Sequence, residues 1–150
     1  MVQTHQEDIT VVVRRDATGL MTRSGTTQGG FRLFYRGRPF DPQLVPRVST
    51  ELAQMAALQQ PGIARLFSAT VDKDGTARLQ IENVTGIYLA EYLSSWGNEV
   101  LARRLWGSLL DALKPLHELR IPYGTLRPDR IWVKSDGTIV LPEPGVGILC

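Results

Sequence analysis

The side chains best suited to chemistry lie near the end of the 150-residue chain, in a polar segment that contains Thr125, Arg127 and Arg130. A guanidinium group is a permanent cation that pairs with phosphate or carboxylate oxygens. Arg130 could therefore contact a phosphate group directly, or pair with Glu143 further along the chain. The Thr125 hydroxyl is a poor proton acceptor at neutral pH. These residue types favour binding of an anion over general-base chemistry.

Regular elements on both sides of this segment must hold it in place. Leucines at steps of three and four predict a long helix over residues 98–119. Two short apolar runs follow, at 131–133 and 138–141, and the turn Ser135-Asp136-Gly137 between them predicts a hairpin. The candidate residues are therefore expected in a loop that joins a helix to a hairpin.

The first half of the chain has the hydrophobic pattern of strands around one helix. Strand-like runs are predicted over 9–13, 31–36, 63–71 and 77–84. The turn Asp72-Lys73-Asp74-Gly75 predicts that the last two form an antiparallel hairpin. Apolar spacing over 47–60 predicts an amphipathic helix, and 89–95 a shorter one. Residues between the first two strands are predicted as a loose loop, and the whole order is that of an α+β fold.

Composition excludes several classes of protein. The 17 basic and 15 acidic residues are mixed along the chain, so no nucleic-acid partner is expected. The single cysteine, Cys150, allows no internal disulfide and no cysteine-rich metal site, and this indicates a cytoplasmic location. No apolar run is long enough to span a membrane, so membrane contact is expected only through a segment beyond residue 150.

Four motifs resemble those of a protein kinase domain. Together they cover residues 31–150, and their style is that of the bacterial Hanks-type Ser/Thr kinases. The run from Tyr123 to Ile131 resembles the catalytic loop H-[RG]-D-L-K-P-E-N-I, and Glu143-Pro144-Gly145 lies where kinases carry D-F-G. Glu51 followed by Pro61-Gly62-Ile63 is similar to the helix glutamate followed by H-P-N-I. The run Leu79 to Gly86 resembles the hinge that borders the adenine pocket.

The resemblance implies an α+β, protein kinase-like fold in a single domain over residues 1–150. An antiparallel N-lobe sheet with one helix is expected over about 1–84. The hinge and a truncated, mainly helical C-lobe are expected over 85–150, ending just after Glu143-Pro144-Gly145. Without further C-lobe helices, the face of the helix at 98–119 is expected to be uncovered, and a protein partner or a second copy of the chain would bind there.

The resemblance also shows which chemical positions of a kinase are changed. Thr125 stands at the catalytic aspartate, Arg127 at the loop lysine and Glu143 at the D-F-G aspartate. Arg130 replaces the metal-binding asparagine, and its charge would repel Mg²⁺. No metal ion is therefore expected.

The N-lobe positions are changed as well. No lysine precedes Lys73, so the strand lysine position is assigned to Arg36, fifteen residues before Glu51, and an ion pair between Arg36 and Glu51 is expected. Two simpler interpretations stay open: Glu51 as a solvated helix carboxylate, and Arg36 as an ordinary charge at a strand end. The G-x-G-x-x-G spacing is not found among the glycines of 17–30.

Together these substitutions predict a pseudokinase without enzymatic activity or cofactor, acting as a scaffold or regulatory domain in a larger bacterial signalling or secretion-associated protein. The alternative is a divergent nucleotide sensor or an atypical small Ser/Thr kinase. Such a protein would bind ATP without metal in a cleft bordered by Arg36, Glu51, Ile81, Glu82 and Val84. An open cleft with converging arginines favours the sensor, and a cleft filled by side chains favours the scaffold.

Overall fold

The computed structural model of the chain describes residues 8–96, 99–124 and 126–149. Its first half is a five-stranded antiparallel sheet with the strand order β1-β2-β3-β5-β4. The strands are β1 Ile9–Arg15, β2 Gly19–Thr26, β3 Gly30–Gly37, β4 Leu66–Val71 and β5 Ala77–Glu82. The predicted turn at 72–75 does join β4 to β5: the Asp72 N–H donates to the Thr76 carbonyl, and Gly75 has a φ of 85°, which glycine adopts without strain.

Helix α1, Val45–Ala57, connects β3 to β4 and packs against the sheet. Val48, Leu52 and Met55 recur at helical spacing and are buried, so one stripe of the helix faces the core. Proline in the first turn suits the helix start, where no intrahelical N–H bond is lost. The helix begins and ends a few residues earlier than the predicted range 47–60.

The second half of the chain is helical around a small sheet. Helix α2 spans Leu89–Trp96 and helix α3 spans Glu99–Leu119, while Asn98 of the predicted helix lies outside the described residues. Three two-residue strands pair antiparallel in the order β6-β7-β8: β6 Ile87–Tyr88, β7 Trp132–Val133 and β8 Ile139–Val140. The predicted hairpin after the polar segment is thus formed by β7 and β8. An additional strand, β6, lies directly before α2 and pairs with β7.

The prediction of a loose loop between the first two strands is wrong, because residues 19–26 form β2. Every residue of β2 pairs with β3, from Gly19 opposite Gly37 to Thr26 opposite Gly30. Of these eight side chains only Met21 is buried. The strand therefore forms through hydrogen bonding to β1 and β3 on its two sides. Hydrophobic periodicity along the sequence does not reveal such pairing.

The pairing of β1 with β2 contains a bulge between Val12 and Arg14. Val12 pairs with Thr22, and the next paired residue is Arg14, opposite Met21. Residues directly opposite each other share a face of the sheet, so the bulge brings Arg14 to the buried face that carries Met21. That face is directed at the second half of the chain.

Buried side chains from both halves form one continuous core. Ile81 of β5 and Leu116 of α3 are each 0% exposed. Ile63, just before β4, bridges to Leu141, just after β8. The C-terminal residues 146–149 form a 3₁₀ turn that packs between β3 and α1. No described helix combines the length and apolar character needed to cross a membrane.

Candidate functional site

A narrow cleft lies between the buried face of the sheet and the second half of the chain. Its cavity measures about 100 Å³, below the roughly 300–1,000 Å³ of most small-molecule pockets. The apolar end is lined by Val13, Met21, Leu33, Val84, Tyr88 and Trp132. The polar end is lined by Arg14, Arg130 and Glu143, and the cleft is also lined by Arg23 and Asn83, whose side chains are hydrogen bonded to each other at 3.1 Å. An apolar slot that leads to cations has the layout required by a base joined to a phosphate chain.

One wall of the apolar end is an aromatic pair from the second half of the chain. Tyr88 and Trp132 lie opposite each other on β6 and β7, and their rings stack with centroids 4.2 Å apart. Behind them Ile81 is fully buried at the end of β5. The Glu82 N–H donates to the Arg65 carbonyl, and the Glu82 carboxylate accepts from the Arg65 N–H. These bonds fix the end of β5, just before the segment that connects the two halves of the chain.

Val84, two residues after Glu82, is half-buried beside the cleft. Its backbone N–H makes no hydrogen bond with another described residue. A ligand with a hydrogen-bond acceptor at the edge of the cleft could therefore accept a bond from the Val84 N–H.

The polar end of the cleft is closed by ion pairs between the two halves of the chain. Arg14 on β1 donates from Nη1 to Glu143 and from Nε to Asp16, the latter at 2.9 Å. Arg130 Nη2 lies 3.7 Å from the same Asp16 carboxylate. Residues 14, 16, 130 and 143 are called the clasp below. The clasp joins the β1–β2 turn to the end of the second half.

One nitrogen atom of the clasp makes no hydrogen bond with the described residues. Arg14 Nη2 is buried and has no hydrogen-bond partner among the described residues. Burial alone would lower the Arg14 pKa, but the hydrogen bond and charge of Glu143 outweigh burial, and the pKa is raised. A fixed guanidinium with an unused buried donor is suited to receive an oxygen atom of an anion.

Asp16 is held by the turn that it belongs to. Its Oδ1 accepts hydrogen bonds from the Thr18 hydroxyl at 2.6 Å and the Thr18 and Gly19 N–H groups. These bonds, with the charge of Arg14, lower the Asp16 pKa from 3.8 to about 2. Its contribution to stability is therefore complete above about pH 4, where the carboxyl is ionised in both states. That contribution is lost as the pH falls from about 4 to 2.

Thr18→Ala should raise the Asp16 pKa from about 2 toward 3.8, because the hydroxyl supplies the largest favourable interaction with the ionised form. The measurement is an NMR titration of the Asp16 carboxyl carbon. Stability of the variant should also fall less between pH 4 and 2 than that of the native chain. Thr10→Ala, which removes an exposed hydroxyl on the same strand pair, is the control. An unchanged Asp16 titration in the Thr18 variant would contradict this description of the turn.

Glu143 is positioned by the loop that carries the candidate residues. The Tyr123 hydroxyl accepts a hydrogen bond of 3.0 Å from the Glu143 N–H. Tyr123 is buried, and burial raises the pKa of its phenol well above the ordinary value, so the ring stays neutral. The bond fixes the backbone of residue 143 and orients its carboxylate toward Arg14.

Arg36 and Glu51 lie apart from this cleft and from each other. Along β3 the buried side chains are Leu33 and Tyr35, so Arg36 lies on the opposite, exposed face. Glu51 pairs instead with Arg47, one turn earlier on α1, at 3.4 Å. The predicted ion pair between Arg36 and Glu51 is therefore wrong, because counting back fifteen residues selected a position of the wrong parity.

The remaining predicted residues divide between the cleft and the surface. Arg130 and Glu143 both belong to the clasp, through Asp16 and Arg14 respectively. Val84 lines the cleft. Ile81 is fully buried and Glu82 is exposed, with its carboxylate bonded to the Arg65 N–H, so neither of these two predicted residues lines the cleft. Arg127 is exposed and pairs with Asp129 at 2.9 Å. Thr125 lies outside the described residues. The sequence offered no signal for Arg14 and Asp16, which reach the site only through the bulge and the turn.

The described residues do not fit a magnesium site. Among them no group of three His, Cys, Asp or Glu side chains is placed to hold an ion. Glu143, which has the most suitable carboxylate, is bonded to Arg14. Arg130 adds a further cation to the same end of the cleft. No step is therefore derived through a metal.

Comparison with known sequences gives distant relatives. No protein-family model matches the chain. It is 24% identical over 133 residues to CBL-interacting protein kinase 21 of Oryza sativa subsp. japonica, and 25% identical over 120 residues to CBL-interacting protein kinase 17 of the same plant. These matches cover 86% and 79% of this chain but 25% and 26% of the relatives. The chain thus spans about a quarter of the length of the curated relatives it matches.

Solved structures decide the fold. The crystal structure of Rad53 1-466 in complex with AMP-PNP superposes with a TM-score of 0.72 at 22% identity, over 94% of this chain and 38% of that one. The chain has a protein kinase-like fold. The apo form of PpkA-294 gives a TM-score of 0.65 at 15% identity, over 92% of this chain and 57% of that one. The predicted α+β fold and the kinase resemblance are confirmed.

The prediction that the chain is not an enzyme is contradicted. The curated relatives are named protein kinases, and the structural neighbours are kinases too, so these comparisons point to a kinase and not to a non-enzyme. The prediction rested on the changes at several motif positions together, and no sequence motif placed Arg14 in the kinase-like cleft.

The buried positions of β3 are Leu33, Tyr35 and Gly37, and none of them is a lysine or an arginine. In kinases the strand lysine lies on the third strand and pairs with a helix glutamate, so it must be on the face directed at the helix. Tyr35 has that placement and is 2% exposed. A β-carbon on Gly19 would lie 2.8 Å from its hydroxyl oxygen, which shows that the Tyr35 ring extends under the β1–β2 turn.

Helix α3 presents large apolar side chains to solvent, as expected for an uncovered face. Val100 is 71% exposed, Trp106 62% and Leu110 47%. Which molecule covers them, a protein partner or a second copy, stays a prediction.

Proposed function

We propose that the chain binds an adenine nucleotide in the cleft between its two halves and forms the nucleotide-binding part of a protein kinase. The observation that carries the proposal is the unused, buried Nη2 of Arg14 at the polar end of an apolar slot. The base would lie between Leu33 and Trp132, and the phosphates would lie toward Arg14 and Arg130. Phosphoryl transfer is proposed for the whole protein.

The apolar end supports the proposal through its shape and its free donor. An aromatic base needs flat apolar contacts on both faces and a few fixed polar groups at its edge. Leu33 and Met21 line the cleft from the sheet, and Trp132 lines it from the other half. The Val84 N–H lies at the edge. The structural neighbour Rad53 was crystallised with AMP-PNP, an adenine nucleotide analogue.

The present cleft is lined by Met21 and Trp132, is too small for a nucleotide and matches the filled cleft expected of a scaffold. The proposal therefore requires that the cleft opens on binding. The clasp would have to separate, and its side chains are partly exposed, with 22% of Arg14 and 16% of Glu143 accessible. Ion pairs of this kind contribute about 1 kcal/mol or less when they are accessible to water. Nucleotide phosphates would take the place of the Glu143 carboxylate on Arg14, so most of this loss would be recovered.

We expect ATP to raise the melting temperature of the chain without added metal. A ligand at ten times its Kd stabilises the folded state by about 1.4 kcal/mol, which corresponds to about 3 to 5 °C for a domain of this size. The titration compares adenosine, ADP and ATP in EDTA and in Mg²⁺. The rise should follow the number of phosphates.

Val84→Trp tests whether the ligand occupies the cleft, because the larger ring fills the remaining space. The matched control is Val100→Trp, at a position that is 71% exposed on α3. ATP should stabilise the control like the native chain and should leave the Val84 variant unchanged. If the Val84 variant does not fold, the ATP titration of the native chain still tests the proposal. No shift for the native chain at millimolar ATP, with or without Mg²⁺, would disprove the proposal.

A further inference from the structure

A second pocket lies on the opposite, outer face of the sheet, away from the cleft. It encloses about 420 Å³ and is open to solvent. Its lining contains four arginines and one carboxylate: Arg15, Arg36, Arg38, Arg78 and Asp16. Gly19, Gly37 and Pro39 form much of the remaining wall. These five charged residues and their surroundings are called the outer pocket below.

Strand register aligns the arginines of the outer pocket in a row. Arg15 pairs with Leu20, Leu20 pairs with Arg36, and Arg36 pairs with Arg78, across β1, β2, β3 and β5. Paired residues share a face, so three guanidinium groups project from the same side of the sheet. Arg36 and Arg78 are direct neighbours, and like charges in such a pair are unfavourable unless an anion lies between them.

Among the described residues, the acidic side chains nearby leave most arginines of the outer pocket without an ion pair. Arg78 pairs with Asp72, but Arg15, Arg36 and Arg38 form no ion pair with another described residue. Asp16 is already engaged with the Thr18 and Gly19 N–H groups and with Arg14. The outer pocket therefore holds three cations that are free to receive an anion.

Thr76 adds a neutral donor to the outer pocket. It is the buried polar residue of the described chain, at 7% exposure, and it lies in the pocket wall. Its backbone N–H bonds to Asp74, but its hydroxyl makes no hydrogen bond with a described residue. Guanidinium groups around a hydroxyl are a suitable arrangement for the oxygens of a phosphate group.

We propose that the outer pocket binds a phosphate monoester carried by a peptide, that is, a phosphorylated serine or threonine. The pocket has no aromatic side chain to stack on a base, which argues against a nucleotide. Phe34 lies two residues from Arg36 on the same exposed face and is 38% exposed. It would contact the side chain next to the phosphorylated residue of an extended peptide.

The test uses the native chain and a short glycine- and alanine-rich peptide with one phosphothreonine, observed by NMR titration. The phosphorylated peptide should bind at least about tenfold more tightly than its unphosphorylated form, since charge-assisted bonds to phosphate are lost in the latter. Arg36→Gln combined with Arg78→Gln should remove that difference. Arg103→Gln, on exposed α3, should keep it.

Several results would overturn the proposal. Equal binding of the two peptides, or full binding by the double variant, would do so, as would binding of inorganic phosphate alone with no gain from the peptide. Attachment only to vesicles of phosphatidylserine and phosphatidylcholine would assign the row to a membrane surface instead. The double variant should leave ATP stabilisation unchanged, so failure at the outer pocket is distinguishable from failure at the cleft.

Discussion

Glu143→Gln should tighten the binding of ATP in EDTA by up to about fivefold, since the ion pair that it removes contributes about 1 kcal/mol or less, and Arg14→Gln should weaken it by about ten- to a hundredfold. The opposite signs follow from the clasp, in which Glu143 and the nucleotide phosphates compete for the same guanidinium. A hydrogen bond to a charged group contributes about 1.5 to 3 kcal/mol, and each 1.4 kcal/mol is a factor of about ten in affinity. Calorimetric titration measures both changes.

Adenosine is the internal control for this pair of variants, because it has no phosphate to contact Arg14. Its affinity should be the same in both. The exposed pair Glu99 and Arg103 supplies the matched substitutions Glu99→Gln and Arg103→Gln, and neither should change ATP binding. If Glu143→Gln weakens ATP binding and does so only in Mg²⁺, Glu143 is a metal ligand and the competition described here is incorrect.

Gly147→Ala should destabilise the chain by about 3 kcal/mol, because a β-carbon there would overlap the carbonyl oxygen of Tyr123 and lie against Gly124. Backbone atoms cannot move aside as a flexible side chain would. The expected fall in melting temperature is about 6 to 12 °C. Displacement of Tyr123 would also loosen its bond to Glu143.

Gly107→Ala is the matched control for this substitution. Gly107 lies in α3, and a β-carbon there has no heavy atom within 4 Å. Alanine favours a helix over glycine, so this variant should gain about 0.5 to 1 kcal/mol. Equal melting temperatures for the two variants would show that the close approach of residues 123 and 147 is not rigid.

Local pattern was sufficient to predict most elements of the fold. Val48, Leu52 and Met55 give α1 its helical period, and the Asp and Gly residues of 72–75 give a hairpin turn, so both could be predicted from neighbouring residues alone. The strand β2 could not, since Gly19, Ser24 and Gly25 have little preference for a strand, and the segment forms one only between its two partner strands.

The site was less predictable because its contacts join distant parts of the chain. Arg14 and Glu143 are 129 residues apart, and no spacing rule relates them. Arg36 was chosen by counting back from Glu51, but side chains alternate along a strand, so an error of one residue moved the assignment from Tyr35 in the core to an arginine on the surface.

The bulge in β1 decides on which side of the sheet one positive charge lies. With regular pairing after Val12, Val13 would face Met21, and Arg14 would face Leu20, in the row that Arg15 now occupies. β1 is an edge strand, and its hydrophobic residues are exposed, so burial does little to fix its register. A slip of one residue would place Arg14 in the outer pocket where Arg15 lies now, and it would turn Arg15 to the face that carries Met21. Edge-strand register therefore decides which of two adjacent arginines contributes to each anion site.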